Sequence, residues 1–291
     1  MVAVPASFSL ARTCAPVWWS RGRLPDLEWS GGLVWVGHGP DHLARRRAMV
    51  VDGRLHVTGD APESDAAWAR EVLGVRALAR LGDDPNIARL AARHPGTHPF
   101  AYGSLYAGLL TSIIGQGVSV AAAATFQARL ARSLSPPVSV AGDDRQYWPL
   151  PSAHDLAAAD PAAVRTCGVT GRRAAALVAL ARHAADGDLP ATSVALADPV
   201  ATEVMLRELP LVGPWTARSA LLWGIGADDA FPPGDAALLR AARHAYDDDG
   251  LDQRTLERLS DGWRPARARA ARLLWLDLLG TPPEHGPDER P

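Results

Sequence analysis

Apolar positions along the chain change period near residue 65. Before it, Leu33-Val34-Trp35-Val36 and Leu55-His56-Val57-Thr58 form short runs with strand character. They are separated by glycine-bearing punctuation, Ser30-Gly31-Gly32 and Asp52-Gly53. Tryptophans 18, 19, 29 and 35 fall in the same stretch, which predicts a small antiparallel sheet with one or two helices. From Ala66 onward apolar residues recur at helical spacing. This predicts helices over 67–80, 84–94, 102–114, 119–133, 154–159, 161–166, 172–186, 200–209, 256–260 and 265–279, with a long loop over 135–153. Residues 281–291 read as a charged, proline-containing tail. The expected class is mainly α with a small α+β N-terminal domain, divided as 1–95 and 96–285, and no solenoid repeat is present.

Composition narrows the picture mainly by exclusion. The 291 residues are 47% hydrophobic, enough for a sizeable core or two. Formal net charge is −2, so no global basic field advertises a polyanionic partner. The arginines are nonetheless uneven, clustering at Arg165, Arg172 and Arg173 and again at Arg264, Arg267, Arg269 and Arg272, while acid gathers at Asp247-Asp248-Asp249. Two cysteines, Cys14 and Cys167, make neither a disulfide framework nor a four-thiolate ligand set. The nine histidines show no ligand spacing, so no catalytic metal is expected, and no glycine loop of the nucleotide-binding kind occurs. With no leader pattern and no apolar run near eighteen residues, a soluble cytoplasmic protein without membrane contact follows by elimination.

The densest chemistry lies between Leu209 and Arg240. Leu209-Pro210-Leu211-Val212-Gly213-Pro214 is a turn, and Pro214 suits a first helical position because its missing N–H costs nothing there. A turn that feeds a helix start leaves backbone N–H groups aimed outward, a seat for an anion such as phosphate. Some twenty residues on, Phe231-Pro232-Pro233-Gly234-Asp235 delivers one carboxylate before an amphipathic run from Ala236 to Tyr246. A lone aspartate at such a place reads as a helix N-cap.

Taken together, these segments resemble the helix-hairpin-helix DNA glycosylases, in particular the 3-methyladenine DNA glycosylase II branch, whose hairpin reads LPGIGxWTA and whose FPxxD loop carries the catalytic aspartate. Three further blocks fall in the same order: Leu109 to Ala124 (LLTSIIGQGVSVAAAA), Val164 to Leu180 (VRTCGVTGRRAAALVAL) and Trp263 to Trp275 (WRPARARAARLLW). The resemblance covers residues 70 to 280. It implies the helix-hairpin-helix glycosylase architecture, two helical lobes with a cleft between them. Its implied activity is hydrolysis of the N-glycosidic bond of alkylated bases in duplex DNA during base excision repair. Asp235 is then the catalytic carboxylate that stabilises positive charge on the sugar.

The same resemblance distributes the remaining roles. The amides of Leu211, Gly213 and Thr216 would face a DNA phosphate, and the carbonyls of Arg207, Leu209 and Val212 would hold a monovalent cation bridging to it. No other cofactor is implied: relatives with an iron–sulfur cluster carry four cysteines near the C-terminus, and this chain has none there. Trp215, with Trp223 and Trp263 as weaker candidates, would wall the base pocket, where an electron-rich ring favours a cationic alkylated purine, whereas Trp275 reads as core. Strand-cutting members place a lysine where this chain has Trp215. All thirty basic residues here are arginine, so the Schiff-base route has no amine and a monofunctional enzyme is expected. A genome bias against lysine would give the same composition and the same chemical consequence.

Two departures stand out in this pattern. Leu211 replaces the first hairpin glycine and is strained if that position needs φ > 0. Gly117 follows Gln116 where the family places a wedge that fills the hole left by the flipped base, in the block that also contains Ser119. Glycine cannot plug a base stack, so Gln116 or another loop takes that role, or the target bases need little help to flip. The competing readings are the same scaffold tuned to other or bulkier lesions, and a DNA-binding module without catalysis. One lesion per site makes a monomer sufficient.

Overall fold

The computed structural model describes residues 1–38, 43–60 and 64–283. Two short helices, α1 (Leu10–Thr13) and α2 (Ala15–Trp19), precede an antiparallel sheet of β1 (Leu27–Trp29), β2 (Leu33–His38), β3 (Leu43–Val51) and β4 (Arg54–Gly59), paired in chain order. Trp35 of β2 lies opposite Leu27 and Arg46, which sets the register on both sides. One face of the sheet packs Leu33, Trp35, Ala48 and Leu55 against Trp68 and Phe100. Val34 and Val36 on the other face are buried beneath a two-stranded ribbon, β5 (Val138–Ser139) and β6 (Gln146–Tyr147), through Val140 and Tyr147. Covering both faces explains why β2 reads as an unbroken apolar run rather than an alternating one. The ribbon lies in the stretch expected to be only loop. Strand β3 was hidden by Arg45-Arg46-Arg47, whose central guanidinium turns inward and pairs with Asp65 at 2.7 Å.

The helical part follows as α3 (Asp65–Val72), α4 (Pro85–Arg93), α5 (Leu105–Gly115) and α6 (Val120–Leu134), then, after the ribbon, α7 (Ala153–Ala157), α8 (Pro161–Arg165), α9 (Gly171–Ala185), α10 (Thr192–Ala197) and α11 (Pro199–Leu206). It closes with α12 (Pro214–Ile225), α13 (Ala236–Tyr246), α14 (Gln253–Asp261) and α15 (Arg267–Leu279). Most of these starts are local chemistry. Ser104, Ser119, Ser152, Asp160, Thr170, Asp198, Asp235 and Asp252 each accept a backbone N–H from the first turn of the helix they precede. Helix α3 is shorter than expected. It stops at Leu73 because Gly74 turns back at φ +58° beneath Pro99, where a Cβ would lie 2.5 Å from the proline ring.

At the centre, α5 and α12 cross at two glycines. A Cβ on Gly108 would lie 2.6 Å from the Gly224 Cα, and one on Gly224 would lie 2.7 Å from the Ser104 carbonyl. The helices run in opposite directions: the α12 C-terminal end receives Tyr102 and Gly103 N–H on the Trp223 and Gly224 carbonyls, while Gln116 past the α5 end reaches Thr216 in the first turn of α12. The cores do not divide at residue 95. Ile87 and Leu90 of α4 belong to the helical core, whereas Phe100 belongs to the sheet core. No single described helix is long and apolar enough to cross a membrane. The tail expectation for residues 281–291 falls mostly on residues 284–291, outside the described residues.

Candidate active site

The site is assembled where the C-terminal end of α5 meets the N-terminal end of α12. Helix α12 starts at Gly213 and Pro214 with no side-chain cap, so its first amides are left to an external acceptor. The turn before it closes through Val212 N–H donating to the Leu209 carbonyl at 3.1 Å. Leu211 sits in this turn at φ +64°, the left-handed region, so the leucine does carry the strain that its place in the motif foreshadowed. An ion pair between Arg218 of α12 and Glu203 of α11, at 2.8 Å, fixes the two helices on either side.

Asp235 caps α13: its Oδ1 accepts the Leu238 N–H at 2.7 Å. Its Oδ2 accepts the Trp215 indole N–H at 3.0 Å. The carboxylate is therefore held at the positive end of one helix and tied to the first turn of another, while remaining half-buried. Capping and a reactive position coexist in this one residue. Trp215 is held by its N–H beside Asp235, and its side chain is half-buried.

The loop that carries Asp235 is pinned from below. Phe231 packs edge-to-face on Trp263, with ring centres 5.7 Å apart. The Trp263 N–H donates to Asp84 Oδ2, the oxygen that also accepts the Tyr246 hydroxyl, while Asp84 Oδ1 caps α4. Asp229 is clamped by Arg264 and Arg267, and Arg76 binds both Asp228 and the Gly226 carbonyl. Trp263, expected as a pocket wall, is thus fully buried and acts as the floor of the loop. Trp223 is also displaced from the site. It lies eight residues along α12 from Trp215, ~12 Å of helical rise, packed on Trp275 at 5.2 Å and beneath the Arg272 guanidinium at 4.3 Å. Trp275 is core, as its apolar helix suggested.

The two arginine clusters separate in the same way. Arg264 and Arg267 are committed to Asp229. Arg272 is buried, donating to the Phe100 and Leu222 carbonyls, and burial pulls its pKa down although the guanidinium stays charged. Arg165 and Arg172 remain exposed. Arg173 donates to the Gln116 carbonyl at 2.7 Å, so that cluster borders the site.

Gln116 is the joint that sequence reasoning undervalued. Its Nε2 donates to the Leu211 carbonyl at 2.7 Å and to the Thr216 hydroxyl at 2.9 Å. Both bonds hold the hairpin, which removes Gln116 as a plug for a base stack. Gly117 follows at φ +65°, and a Cβ added there would meet nothing within 4 Å, so this is an open tip flanked by exposed Val118 and Val120. Ser119 caps α6 through Ala122 N–H at 3.2 Å. The only sign of the Gln116 role in the sequence was its place between an apolar helix and a glycine.

A helical protein in which an uncapped hairpin helix faces a loop-borne aspartate is the class that fold and site define. Residues 110–265, just over half of the chain, match the model of the HhH-GPD superfamily base excision DNA repair protein. The chain belongs to this superfamily. It is 32% identical over 189 residues to DNA-3-methyladenine glycosylase 2 of Escherichia coli, covering 65% of this chain and 63% of that one. It is 30% identical over 262 residues to the probable bifunctional transcriptional activator/DNA repair enzyme AlkA of Mycobacterium tuberculosis, covering 87% of this chain and 49% of that one. The chain thus spans under two thirds of the length of these relatives. The 3-methyladenine DNA-glycosylase structure from Archaeoglobus fulgidus superposes with a TM-score of 0.73 at 20% identity, over 95% of this chain and 96% of the other. That likeness shows the fold.

Proposed function

We propose that this chain is a DNA glycosylase that hydrolyses the N-glycosidic bond of alkylated, 3-methyladenine-like bases in duplex DNA and leaves an abasic site on an uncut strand. The observation that carries this reading is the Asp235 carboxylate, 3.0 Å from the Trp215 indole nitrogen and beside the uncapped start of α12. In the proposed complex the amides at Leu211, Gly213 and Thr216 hold a phosphate of the damaged strand. The carbonyls of Arg207, Leu209 and Val212 are neutral oxygen donors around one closed turn, a set suited to a monovalent cation that would add positive charge there.

The phosphate grip sets the flipped sugar near Asp235. As the C1′–N bond breaks, its electron pair leaves with the base and positive charge builds on the sugar; the carboxylate stabilises that charge, and water adds to C1′ and loses a proton. A base that already carries positive charge is a better leaving group and is favoured by the Trp215 ring. With no lysine in the sequence, the hydrolytic route stands without a Schiff base.

A tuning toward weakly paired or bulky lesions is favoured by one observation, the open tip at Gly117 beside a Gln116 already committed to the hairpin. The test is release of radiolabelled bases from methylated duplex DNA by wild type and Asp235→Asn, with the DNA examined before and after hot alkali. Release of 3-methyladenine by wild type alone, with breaks only after alkali, supports the reading. Equal release by both proteins overturns the role of Asp235, and strand breaks without alkali overturn monofunctional hydrolysis.

A further inference from the structure

At the opposite end of the α5–α12 pair, a cleft of about 390 Å³ opens between the sheet and the helices, lined by Asp26, Trp35, His38, Tyr102, Ser104 and Tyr106 among others. From Tyr106 to the end of α5 is nine residues, ~14 Å, so the cleft is separate from the Asp235 site. Three of its polar groups are already used. The His38 Nε2–H donates to the Leu150 carbonyl at 3.0 Å, and the Tyr106 hydroxyl donates to the Pro151 carbonyl at 3.1 Å. Ser104 caps α5.

Asp26 is different. Its side chain is 4% exposed, and Oδ1 is buried with no hydrogen-bond partner. Among the described residues no arginine or histidine forms an ion pair with it. An orphaned buried carboxyl is costly, and natural folds keep one where something completes it.

The lining says what that something is. An anion would meet a carboxylate, and an apolar ligand would leave Oδ1 unsatisfied. A multivalent metal would find one carboxylate and, among the described residues, no cluster of three ligating side chains. A cation that carries N–H donors satisfies Oδ1 by a charge-assisted hydrogen bond and gains from the aromatic lining of Trp35, Tyr102 and Tyr106. We propose that this cleft binds a small organic cation, an alkylammonium or guanidinium group, seated on Asp26. This site is independent of the glycosylase reading.

Burial pushes the Asp26 carboxyl up to about 7. The other titratable groups lining the cleft are His38, held low by burial, and Tyr102 and Tyr106, both held high by it. Binding of a cation therefore draws a proton off Asp26 and tightens as pH rises from 6 to 8.

The test uses the full chain with methylguanidinium and n-butylammonium as probes, and N-methylurea and n-butanol as neutral controls of matching shape. Calorimetry at neutral pH should show saturable binding of both cations and none of the controls. Asp26→Asn should weaken binding by about tenfold or more, while Asp235→Asn leaves it unchanged. Titration of the wild type followed by the ¹³C resonance of the Asp26 carboxyl keeps the idea testable if the Asn variant does not fold. No saturable binding, equal binding of the neutral controls, or an unmoved Asp26 resonance would overturn the proposal.

Discussion

Two carboxylates sit at opposite ends of the same helix pair, and they are built in opposite ways. Asp235 is half-buried with both oxygens engaged, one by the Leu238 amide and one by the Trp215 indole. Asp26 is buried with Oδ1 unpartnered. Burial alone thus does not mark the reactive group. The carboxylate placed for chemistry is the one whose geometry is fixed by neighbours that also face solvent. The deeply buried one stays neutral until something charged joins it.

The sharpest way to break this contrast is to change each carboxylate to its amide. Asp235→Asn should lower single-turnover base release by roughly 10²–10³-fold, the scale of losing one transition-state electrostatic partner. The same variant should melt close to wild type, because asparagine caps a helix as well as aspartate does. Asp26→Asn should do the reverse, leaving base release near wild type and altering the pH dependence of stability. The sign follows from the carboxyl being pushed up from 3.8 to about 7 on folding. Between those values the unfolded chain has released the proton and the folded chain still holds it, so wild-type stability falls as pH rises through this window and levels off above it. The span is at most ~4 kcal/mol, and urea melts from pH 4 to 8 should show it in wild type and not in the variant.

A smaller effect tests whether the reactive end is held by its hairpin. Gln116→Leu strands the Leu211 carbonyl and the Thr216 hydroxyl, which should cost about 1–3 kcal/mol in chemical denaturation and weaken binding to duplex DNA in anisotropy titrations. Smaller again are the two left-handed residues at this end. Gly117→Ala should destabilise by ~1 kcal/mol through backbone strain alone, since its surroundings are open. Leu211→Gly should raise the melting temperature by the few degrees that relief of ~1 kcal/mol allows for a chain of this size. If Leu211→Gly instead lowers it, the leucine side chain is worth more to the hairpin than its strain costs.

Much of this arrangement was legible in local chemistry. Serine, threonine and aspartate caps and N1 prolines mark most helix starts within one to three residues, because they satisfy orphan amides within a single turn. The Pro214 start of α12 and the Asp235 cap could be read the same way. Strand β3 could not, because Arg46 is buried by pairing with Asp65, and a polar run conceals an inward-facing position until the partner is known. Trp223 and Trp263 were equally opaque, since an aromatic side chain packs as well into a floor as into a wall. The Trp263 indole is decided by Asp84, 179 residues away.

The sequence by itself determined the helical series, the hairpin turn, the absence of any lysine and the presence of a single loop-borne aspartate at its end. These are properties of neighbouring residues, set by capping, turn geometry and composition. The tertiary structure alone decided which arginines remain outside, that Gln116 ties two turns together, and that Asp26 is left without a partner. Those outcomes depend on which distant groups meet. A hydrogen bond or a desolvation cost belongs to the place where chains converge, and no window of sequence contains it.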